Sequence, residues 1–227
     1  MVFLYIVCGL SVFTALTSGF FHLKEDAAKR LIFKLIGSIL FCVVGLGALY
    51  INGAFSAYGV FVMGALILGL LGDIFLCMKG LSQDKKLMLF NALGFFCFAV
   101  GHIAFAAIFL SITPFNLYIL PVMFAVPAIL GVLMLLKVVD AKKLNIALLS
   151  YATLLGVMVM SALNLFVNNR GSAGILSLIA AILFAASDLS LAIREFGRIK
   201  NKRVLIYLIL ATYYTAQCLF AITIALY

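Results

Sequence analysis

Eight apolar segments, each about twenty residues long, dominate the sequence and restrict what the chain can fold into. A helix needs roughly 20 consecutive apolar residues to cross the ~30 Å hydrocarbon core of a bilayer. Only short polar breaks, or breaks that contain Gly, Pro or Asn, separate the segments. We therefore predict an all-α membrane protein with eight transmembrane helices, at residues 1–22, 31–51, 55–78, 87–110, 117–137, 145–168, 174–195 and 204–226.

The composition agrees with a chain that has almost nothing outside the bilayer. Of the 227 residues, 67% are hydrophobic and 10% are charged, and the mean hydropathy is +1.31. A soluble domain of this size needs far more charge on its water-facing surface. The breaks between segments are also too short to hold a soluble domain. The prediction is a single polytopic membrane domain over residues 1–227.

The positive charges predict the orientation of the chain in the membrane. Of the sixteen Lys and Arg residues, all but Arg170 lie in or beside the first, third, fifth and seventh connections. Because basic connections remain in the cytoplasm, both termini are predicted to be non-cytoplasmic, in a bacterial-type inner (plasma) membrane. The net charge of +9 then reflects topology and attraction to anionic lipid, since no soluble basic face is available for nucleic acid. The fifteen residues are Lys24, Lys29, Arg30, Lys34, Lys79, Lys85, Lys86, Lys137, Lys142, Lys143, Arg194, Arg198, Lys200, Lys202 and Arg203.

Two acidic residues lie inside predicted spans, and each stands in the same local sequence. The segments 72–79 and 187–194 share a pattern of a small residue, Asp, an aliphatic residue, any residue, Leu, a small residue, an aliphatic residue and a basic residue. A carboxylate in the hydrocarbon layer costs roughly 2.5–3.5 kcal/mol on insertion scales. Intramembrane ionisable groups are usually functional for this reason. Asp73 and Asp188 are therefore predicted to mark a buried polar site.

The acidic pair belongs to a longer internal similarity. Asp73 and Asp188 are 115 residues apart, and so are His102 and Gln217. This offset places the first four spans onto the last four. Because four is an even number, both halves enter the membrane in the same direction. We predict a parallel four-plus-four repeat with halves at about 1–112 and 116–227.

The repeat predicts that both carboxylates face a central cavity near the cytoplasmic side. Each Asp lies six residues before a basic residue, which is about 9 Å along a helix. Mutual repulsion is expected to leave one proton between the two carboxyl groups. Asp188 is favoured as the ionised partner, because Ser187 is able to donate a hydrogen bond to it. A simple depth count places His102 about 10 Å further toward the outer side.

Other polar side chains inside the spans are candidates for binding. Asn91 and His102 are eleven residues apart and share a helix face. Tyr213, Tyr214 and Gln217 form a polar stripe on the eighth helix. Each of these groups is equally able to join neighbouring helices. Lys34 either extends to the interface or contacts a lipid phosphate or one of the carboxylates.

These residues resemble those of the YhhN family of integral membrane proteins, whose characterised members include lysoplasmalogenases. The resemblance runs nearly end to end in length and span count. Lys34 resembles a lysine that many members follow with proline, whereas Leu35 follows it here. The resemblance implies hydrolysis of the vinyl ether bond of a lysoplasmalogen to a fatty aldehyde and a glycerophospho-base. Its specific points are Gly72-Asp73, Gly101-His102-Ile103, Ser187-Asp188, and Tyr213-Tyr214 followed by Gln217.

The implied reaction begins with protonation of the vinyl carbon β to oxygen, after which water captures the oxocarbenium ion. One protonated Asp would supply the acid, and one ionised Asp would stabilise the cation and deprotonate water, as in glycosidases. The expected catalytic residues are Asp73, Asp188 and His102. Lys34 is expected to hold the phosphate. The remaining expected substrate-binding residues, which line the chain cavity or orient water, are Asn91, Tyr213, Tyr214 and Gln217.

The expected partners are a lysophospholipid substrate and membrane lipids, with no nucleic acid and no obligate protein partner. We expect no metal and no other cofactor, because His102 lacks the second histidine or spacing motif of a metal site. The alternative function is a proton-coupled transporter or lipid flippase that uses the intramembrane Asp pair. Uptake driven by a pH gradient would indicate transport, whereas product formation in detergent would indicate an enzyme. A third interpretation, a structural or regulatory membrane protein, leaves the Asp pair unexplained.

Overall fold

The computed structural model describes residues 1–53, 56–78, 86–199 and 201–227. Lys79, Lys85 and Lys200, on which the predicted orientation partly depends, lie outside the described residues. Within the described ranges, eight helices are long and apolar enough to cross a membrane, which confirms the predicted all-α architecture. They are α1 (Val2–Leu23), α2 (Ala27–Asn52), α3 (Ala57–Met78), α4 (Lys86–Ser111), α5 (Ala125–Leu135, preceded by a 3-10 helix at Leu117–Phe124), α6 (Asn145–Asn168), α7 (Ser172–Phe196) and α8 (Arg203–Thr223).

The fifth span is the irregular one, and its prolines explain why. Its first part is a 3-10 helix that contains Pro121, and α-helical geometry begins only at Ala125. A proline inside a helix removes one backbone donor and clashes with the preceding turn. Pro127 lies in the first turn of α5, where a missing backbone N–H is tolerated. The fifth span is therefore a 3-10 segment followed by a short α-helix and not one straight α-helix.

Local signals at the two ends of α2 fix its length. The Asp26 side chain accepts a hydrogen bond of 3.0 Å from the Lys29 backbone N–H, as an N-cap residue does. This hydrogen bond is the largest cause of the lowered pKa of the Asp26 carboxyl. At the other end, Gly53 adopts a left-handed conformation with φ of 71°, which a glycine accepts without steric penalty. These ends set the level at which the side chains of α2 enter the bundle.

The two halves of the chain pack their helices in a corresponding order. Helix α2 contacts α1 and α3 of its own half and α8 of the other half. Helix α6 contacts α5 and α7 of its own half and α4 of the other half. This correspondence is what a parallel four-plus-four repeat with halves at 1–112 and 116–227 would produce. The repeat and the orientation of the termini stay predictions.

Two connections that the sequence places on one side of the membrane lie together in the structure. Val139, between α5 and α6, forms an isolated antiparallel β-bridge with Gly197, between α7 and α8. Asp140 and Arg198 extend this contact with an ion pair of 3.2 Å between Oδ2 and Nη2. Both connections contain residues from the basic set. Their contact therefore agrees with a common, basic face at the ends of α5 and α7.

Gly156 in α6 lies where no side chain fits, and this gives a stability prediction. A Cβ atom at position 156 would collide with the backbone carbonyl of Met123, in the 3-10 helix. Because a backbone atom cannot move aside as a flexible side chain can, we expect Gly156→Ala to lower the free energy of unfolding by about 1–3 kcal/mol. Gly64→Ala in α3 is the matched control, since no atom lies within 4 Å of its Cβ position. Equal thermal midpoints for the two variants in detergent would contradict this packing.

Candidate functional site

Asp73 is the centre of a buried polar cluster between α2, α3 and α8. Its Oδ1 atom lies 2.9 Å from Lys34 Nζ. Its Oδ2 atom accepts a hydrogen bond of 2.6 Å from Ser38 Oγ. The Tyr214 hydroxyl lies 2.9 Å from Ser38 Oγ and 3.3 Å from Asp73 Oδ2. The Asp73 side chain is 3% exposed and that of Lys34 is 12% exposed, so this is a buried ion pair with both carboxylate oxygens occupied.

The sequence of α2 explains why two of these partners meet Asp73 together. Lys34 and Ser38 are four residues apart, so they lie on one face of the helix. Lys34 therefore contacts a carboxylate, which was one of its three predicted roles. The Tyr214 hydroxyl also lies 3.1 Å from the Lys34 carbonyl oxygen, so α8 is bound to α2 at this level. The cluster joins three helices around one charge pair.

Asp188 has a separate set of partners, from α6 and α4. The Tyr151 hydroxyl donates a hydrogen bond of 2.6 Å to Asp188 Oδ2. His102 Nε2 lies 3.1 Å from the Tyr151 oxygen and 3.5 Å from Asp188 Oδ2. The exposed fraction of the side chain is 1% for His102 and 10% for Asp188. The three residues form a chain of polar groups that runs from the half-buried carboxylate to the buried imidazole.

The hydrogen bonds assign the protons along this chain. Tyr151 has a single hydroxyl proton, which points to the carboxylate. Its oxygen therefore accepts from His102 Nε2–H, and the other ring nitrogen is left for another partner. His102 Nδ1 has no hydrogen-bond partner among the described residues, although it is fully buried. A buried nitrogen without a partner is a costly feature that calls for a ligand or a chemical role.

His102 lines a small internal pocket that Gln217 also lines, and in this structure the pocket is closed, with no free volume for a water molecule. The Gln217 Oε1 atom is the second buried side-chain atom without a partner in the described part of the chain. Its Nε2 atom donates a hydrogen bond of 3.1 Å to the Tyr213 hydroxyl. The two unpartnered polar atoms thus belong to residues from opposite halves of the chain that line one pocket. Its lining residues are Ala65, Gly69, Phe98, Gly101, His102, Phe105, Phe184 and Gln217.

Aromatic rings fill the space between the two carboxylate clusters. The Phe184 ring contacts His102 edge-on at 4.8 Å between centroids and Tyr213 at 5.2 Å. Tyr213 in turn contacts Tyr214 at 4.9 Å. Among the described contacts, each carboxylate therefore has its own partners instead of the other carboxylate. The described contacts therefore do not bring the two carboxylates together as a facing pair: Asp73 pairs with Lys34, and Asp188 contacts Tyr151 and His102.

The model of the YhhN family matches residues 29–224. The chain belongs to the YhhN family. The match includes Lys34, Asp73, His102, Asp188 and Gln217, so the polar clusters lie within the region that is shared with the YhhN model. Neither the search of curated proteins nor the search of solved structures gave a match.

Two positional expectations for this YhhN protein are corrected by the structure. His102 does not lie about 10 Å from the level of the carboxylates but beside Asp188. The depth count assumed that all helices enter the membrane at one level, whereas α4 begins sixteen residues before His102. Ser187 Oγ donates to the Ile209 carbonyl at 3.2 Å, so the predicted hydrogen bond from Ser187 to Asp188 is wrong. Ser187 joins α7 to α8 instead.

The other predicted residues of this YhhN protein fall into two groups. Tyr213, Tyr214 and Gln217 are buried and connect the Asp73 cluster to the pocket. Asn91 is half-buried in α4, and no contact described for it reaches either carboxylate. Within the described ranges, no three His, Cys, Asp or Glu side chains come together as a metal site requires.

Sequence reasoning missed two residues that the structure places directly against the carboxylates. Ser38 was detectable from the sequence, because it is polar and stands four positions after Lys34, on the same helix face. Tyr151 carries a weaker signal as a lone tyrosine inside the sixth span. At the offset of 115 residues it aligns with Ile36, between Lys34 and Ser38. The alignment shows that Tyr151 occupies the position in α6 that corresponds to the segment of α2 containing Lys34 and Ser38.

Proposed function

We propose that this YhhN protein hydrolyses the vinyl ether bond of a lysoplasmalogen and releases a fatty aldehyde and a glycerophospho-base. In this function it lies in a bacterial-type inner membrane with its basic connections in the cytoplasm, where an inner-leaflet lysophospholipid can reach it. The family resemblance suggests the substrate. The observation that carries the chemistry is the chain from Asp188 through Tyr151 to His102, which ends in an unpartnered buried nitrogen.

The acid in this mechanism is His102 in its doubly protonated form. The Asp188 carboxylate lies 3.5 Å from His102 Nε2, where it is a counter-ion for the imidazolium that the mechanism uses. Tyr151 fixes the ring so that Nδ1–H points into the pocket. Nδ1–H gives its proton to the vinyl carbon β to oxygen, and the double bond becomes an oxocarbenium ion. The imidazole is then neutral and Nδ1 is free to accept a proton.

Water completes the reaction with no net consumption of protons. A water molecule attacks the oxocarbenium carbon and loses a proton to His102 Nδ1, which restores the imidazolium and gives a hemiacetal. The hemiacetal then breaks its bond to the glycerol oxygen, which takes the hydroxyl proton and leaves as an alcohol. General acid–base catalysis of this kind contributes about 10²–10⁴ in rate. Gln217 lines the same pocket, and its unpartnered Oε1 atom is an acceptor that would orient the water once the pocket opens to admit substrate.

Asp73 takes a positioning role in this proposal. Its ion pair with Lys34 and its contact with Tyr214 hold α8 against α2 and α3. Tyr214 packs edge-on against Tyr213, which accepts the hydrogen bond from Gln217. The Asp73 cluster therefore fixes the wall of the pocket that faces His102. This division of roles replaces the symmetric acid and base pair that the sequence predicts.

Product formation in detergent tests the proposed function and separates it from transport. Purified protein is incubated with a vinyl-ether lysolipid and with its acyl and alkyl counterparts, and the products are identified by mass spectrometry. We expect fatty aldehyde from the vinyl ether alone, since only this bond gives an oxocarbenium ion on protonation of carbon. A micelle holds no pH gradient, so aldehyde formation there does not depend on transport. Absence of aldehyde from a folded, monodisperse sample would contradict the proposal.

Tyr151→Phe provides a narrower prediction about the chain of polar groups. The ring keeps its packing against Phe95, at 5.8 Å between centroids, but the hydroxyl that connects His102 to Asp188 is removed. We expect the rate to fall roughly tenfold to a hundredfold, within the range of general acid–base effects, and the pH–rate profile to change. Tyr207→Phe in α8 is the matched control, and it should keep the wild-type rate and the wild-type pH–rate profile. A lower thermal midpoint with an unchanged pH profile would show that Tyr151 is only structural.

A further inference from the structure

The amide of Gln217 uses only part of its hydrogen-bonding capacity. The residue is 1% exposed, and its Nε2 atom donates a hydrogen bond of 3.1 Å to the Tyr213 hydroxyl. No hydrogen bond among the described residues reaches its Oε1 atom. An amide oxygen has two lone pairs, and a buried acceptor that stays unpaired costs free energy. Gln217 therefore carries a buried acceptor that a ligand with a donor group would satisfy.

The nitrogen end of this amide is held against α3 at a position that has no side chain. A Cβ atom at Gly69 would collide with Gln217 Nε2 and would lie 3.1 Å from the Tyr213 hydroxyl oxygen. Gly69, Gln217 and His102 all line the closed pocket. The contact with Gly69 and the hydrogen bond to Tyr213 both involve Nε2, so together they fix the nitrogen and leave the oxygen for a ligand.

A lysolipid carries one donor at a suitable distance from the reacting bond. In a lysoplasmalogen the ether and phosphate oxygens are acceptors, whereas the hydroxyl on the middle glycerol carbon is a donor. Five bonds of about 1.5 Å join the vinyl carbon β to oxygen to this hydroxyl oxygen, which is roughly 6 Å when extended. A vinyl ether beside His102 therefore brings the hydroxyl within reach of another residue that lines the same pocket, and Gln217 is such a residue.

We propose that Gln217 Oε1 accepts a hydrogen bond from the free hydroxyl of the substrate glycerol and thereby selects a lysolipid. This assignment rests on the proposed function and names the group by which the substrate is distinguished. The second lone pair of Oε1 is left for the water molecule. A lipid with a second chain carries an ester at this position, which has no proton to donate. A site that binds a substrate hydroxyl in this way discriminates strongly against an analogue without it.

The packing around the pocket favours a small group at this position as well. Phe105 is stacked on Phe220 at 4.0 Å between centroids, and Phe98 contacts Phe184 edge-on at 6.4 Å. Three of these rings line the pocket, and each of the three is supported by another ring. Because a closely packed interior resists displacement, the pocket opens for a hydroxyl at a lower cost than for a second chain.

Binding of uncleavable ethers to the full chain in detergent tests this role independently of hydrolysis. The probes are three alkyl-ether phospholipids that carry a hydroxyl, a hydrogen or a methoxy group on the middle glycerol carbon. We expect the wild type to bind the hydroxyl form roughly tenfold to a hundredfold more tightly than the other two, as pairing a buried acceptor predicts. Comparison of this ratio between variants cancels the differences in how the probes partition into the micelle.

Two variants remove or displace the acceptor without a change of charge. Gln217→Met keeps the length of the side chain and lacks Oε1, so it should lose roughly tenfold or more of the preference for the hydroxyl form. Gly69→Ala keeps Gln217, but its methyl group takes the place of the amide, so it should have the same effect. Gly64→Ala adds the same methyl group to α3 where no atom lies within 4 Å, and it should keep the preference.

The remaining outcomes separate failure of this role from failure of the proposed hydrolysis. Equal affinity of the wild type for the hydroxyl and hydrogen forms would overturn the role of Gln217, even if a lysoplasmalogen gives aldehyde. An unchanged preference in Gln217→Met and Gly69→Ala, with or without a lower thermal midpoint, would show that Gln217 is only structural. If Gln217→Met does not fold, Gly69→Ala against Gly64→Ala decides. A preference for the hydroxyl form without aldehyde formation would reject the hydrolysis and keep the hydroxyl site.

Discussion

Asp188→Asn should reduce aldehyde release from a lysoplasmalogen by about a thousandfold or more and leave the thermal midpoint nearly unchanged. An amide can still accept the hydrogen bond from Tyr151, so the packing between α6 and α7 is kept. The negative charge beside His102 is lost, so the imidazolium of the proposed mechanism has no counter-ion. In other hydrolases, a neutral amide in place of the carboxylate that orients a catalytic histidine costs up to ~10⁴ in rate.

The control for this variant is Asp140→Asn, which makes the same chemical change in an exposed ion pair with Arg198. It should keep full activity. Because Asp188 acts through His102, the residual rate of Asp188→Asn should also follow a different pH profile from that of the wild type. A rate within tenfold of the wild type, with the wild-type pH profile, would show that the Asp188 charge is not part of the acid.

Asp73→Asn should mainly reduce stability, by about 3–5 kcal/mol in the free energy of unfolding. The substitution leaves Lys34 buried, with its charge uncompensated, among Ser38 and Tyr214. Removal of the second charge should therefore restore most of the loss, so that the double variant Lys34→Met/Asp73→Asn is more stable than Asp73→Asn. Unfolding in mixed detergent micelles measures all three proteins under one condition.

The matched control for Asp73→Asn is Asp26→Asn, which breaks an exposed ion pair with Lys29 and keeps an N-cap residue at the start of α2. Exposed pairs contribute little, so this variant should unfold like the wild type. If Asp73→Asn has wild-type stability, the Lys34–Asp73 ion pair is not buried in the protein. A double variant that is no more stable than the single one would show that uncompensated charge is not the cause.

The architecture was predictable from the sequence because length and hydropathy together determine membrane spans. All eight spans were found, and the irregularity of the fifth follows from Pro121 and Pro127. The contact between Lys34 and a carboxylate was also among the expected outcomes. Such features depend on spacing along one helix, which a sequence records directly. The order of packing around α2 and α6 agrees with the predicted repeat without testing it.

The parts of the site that were missed depend on how helices are placed relative to one another. His102 lies beside Asp188 although it is sixteen residues from the start of α4 and Asp188 is only eight from the end of α7, so the two helices are displaced along their axes. Tyr151 contacts Asp188 because α6 packs against α7 at one particular height. The separation of the two carboxylates by Phe184 and Tyr213 is a packing result as well. A displacement of one helix along another by a few ångströms does not change the hydropathy of the sequence, so the sequence does not predict it.

The most direct measurement of the central claim is the hydrolysis of a vinyl-ether lysolipid in D₂O, with the aldehyde reduced at once and analysed by mass spectrometry. Protonation of the carbon β to oxygen predicts a product with one deuterium at carbon 2, formed by the wild type and lost in Asp188→Asn. Aldehyde without deuterium at carbon 2 would show that the bond is broken by another route. Wild-type yields of labelled aldehyde from Asp188→Asn would show that the proton does not come from His102 acting together with Tyr151 and Asp188.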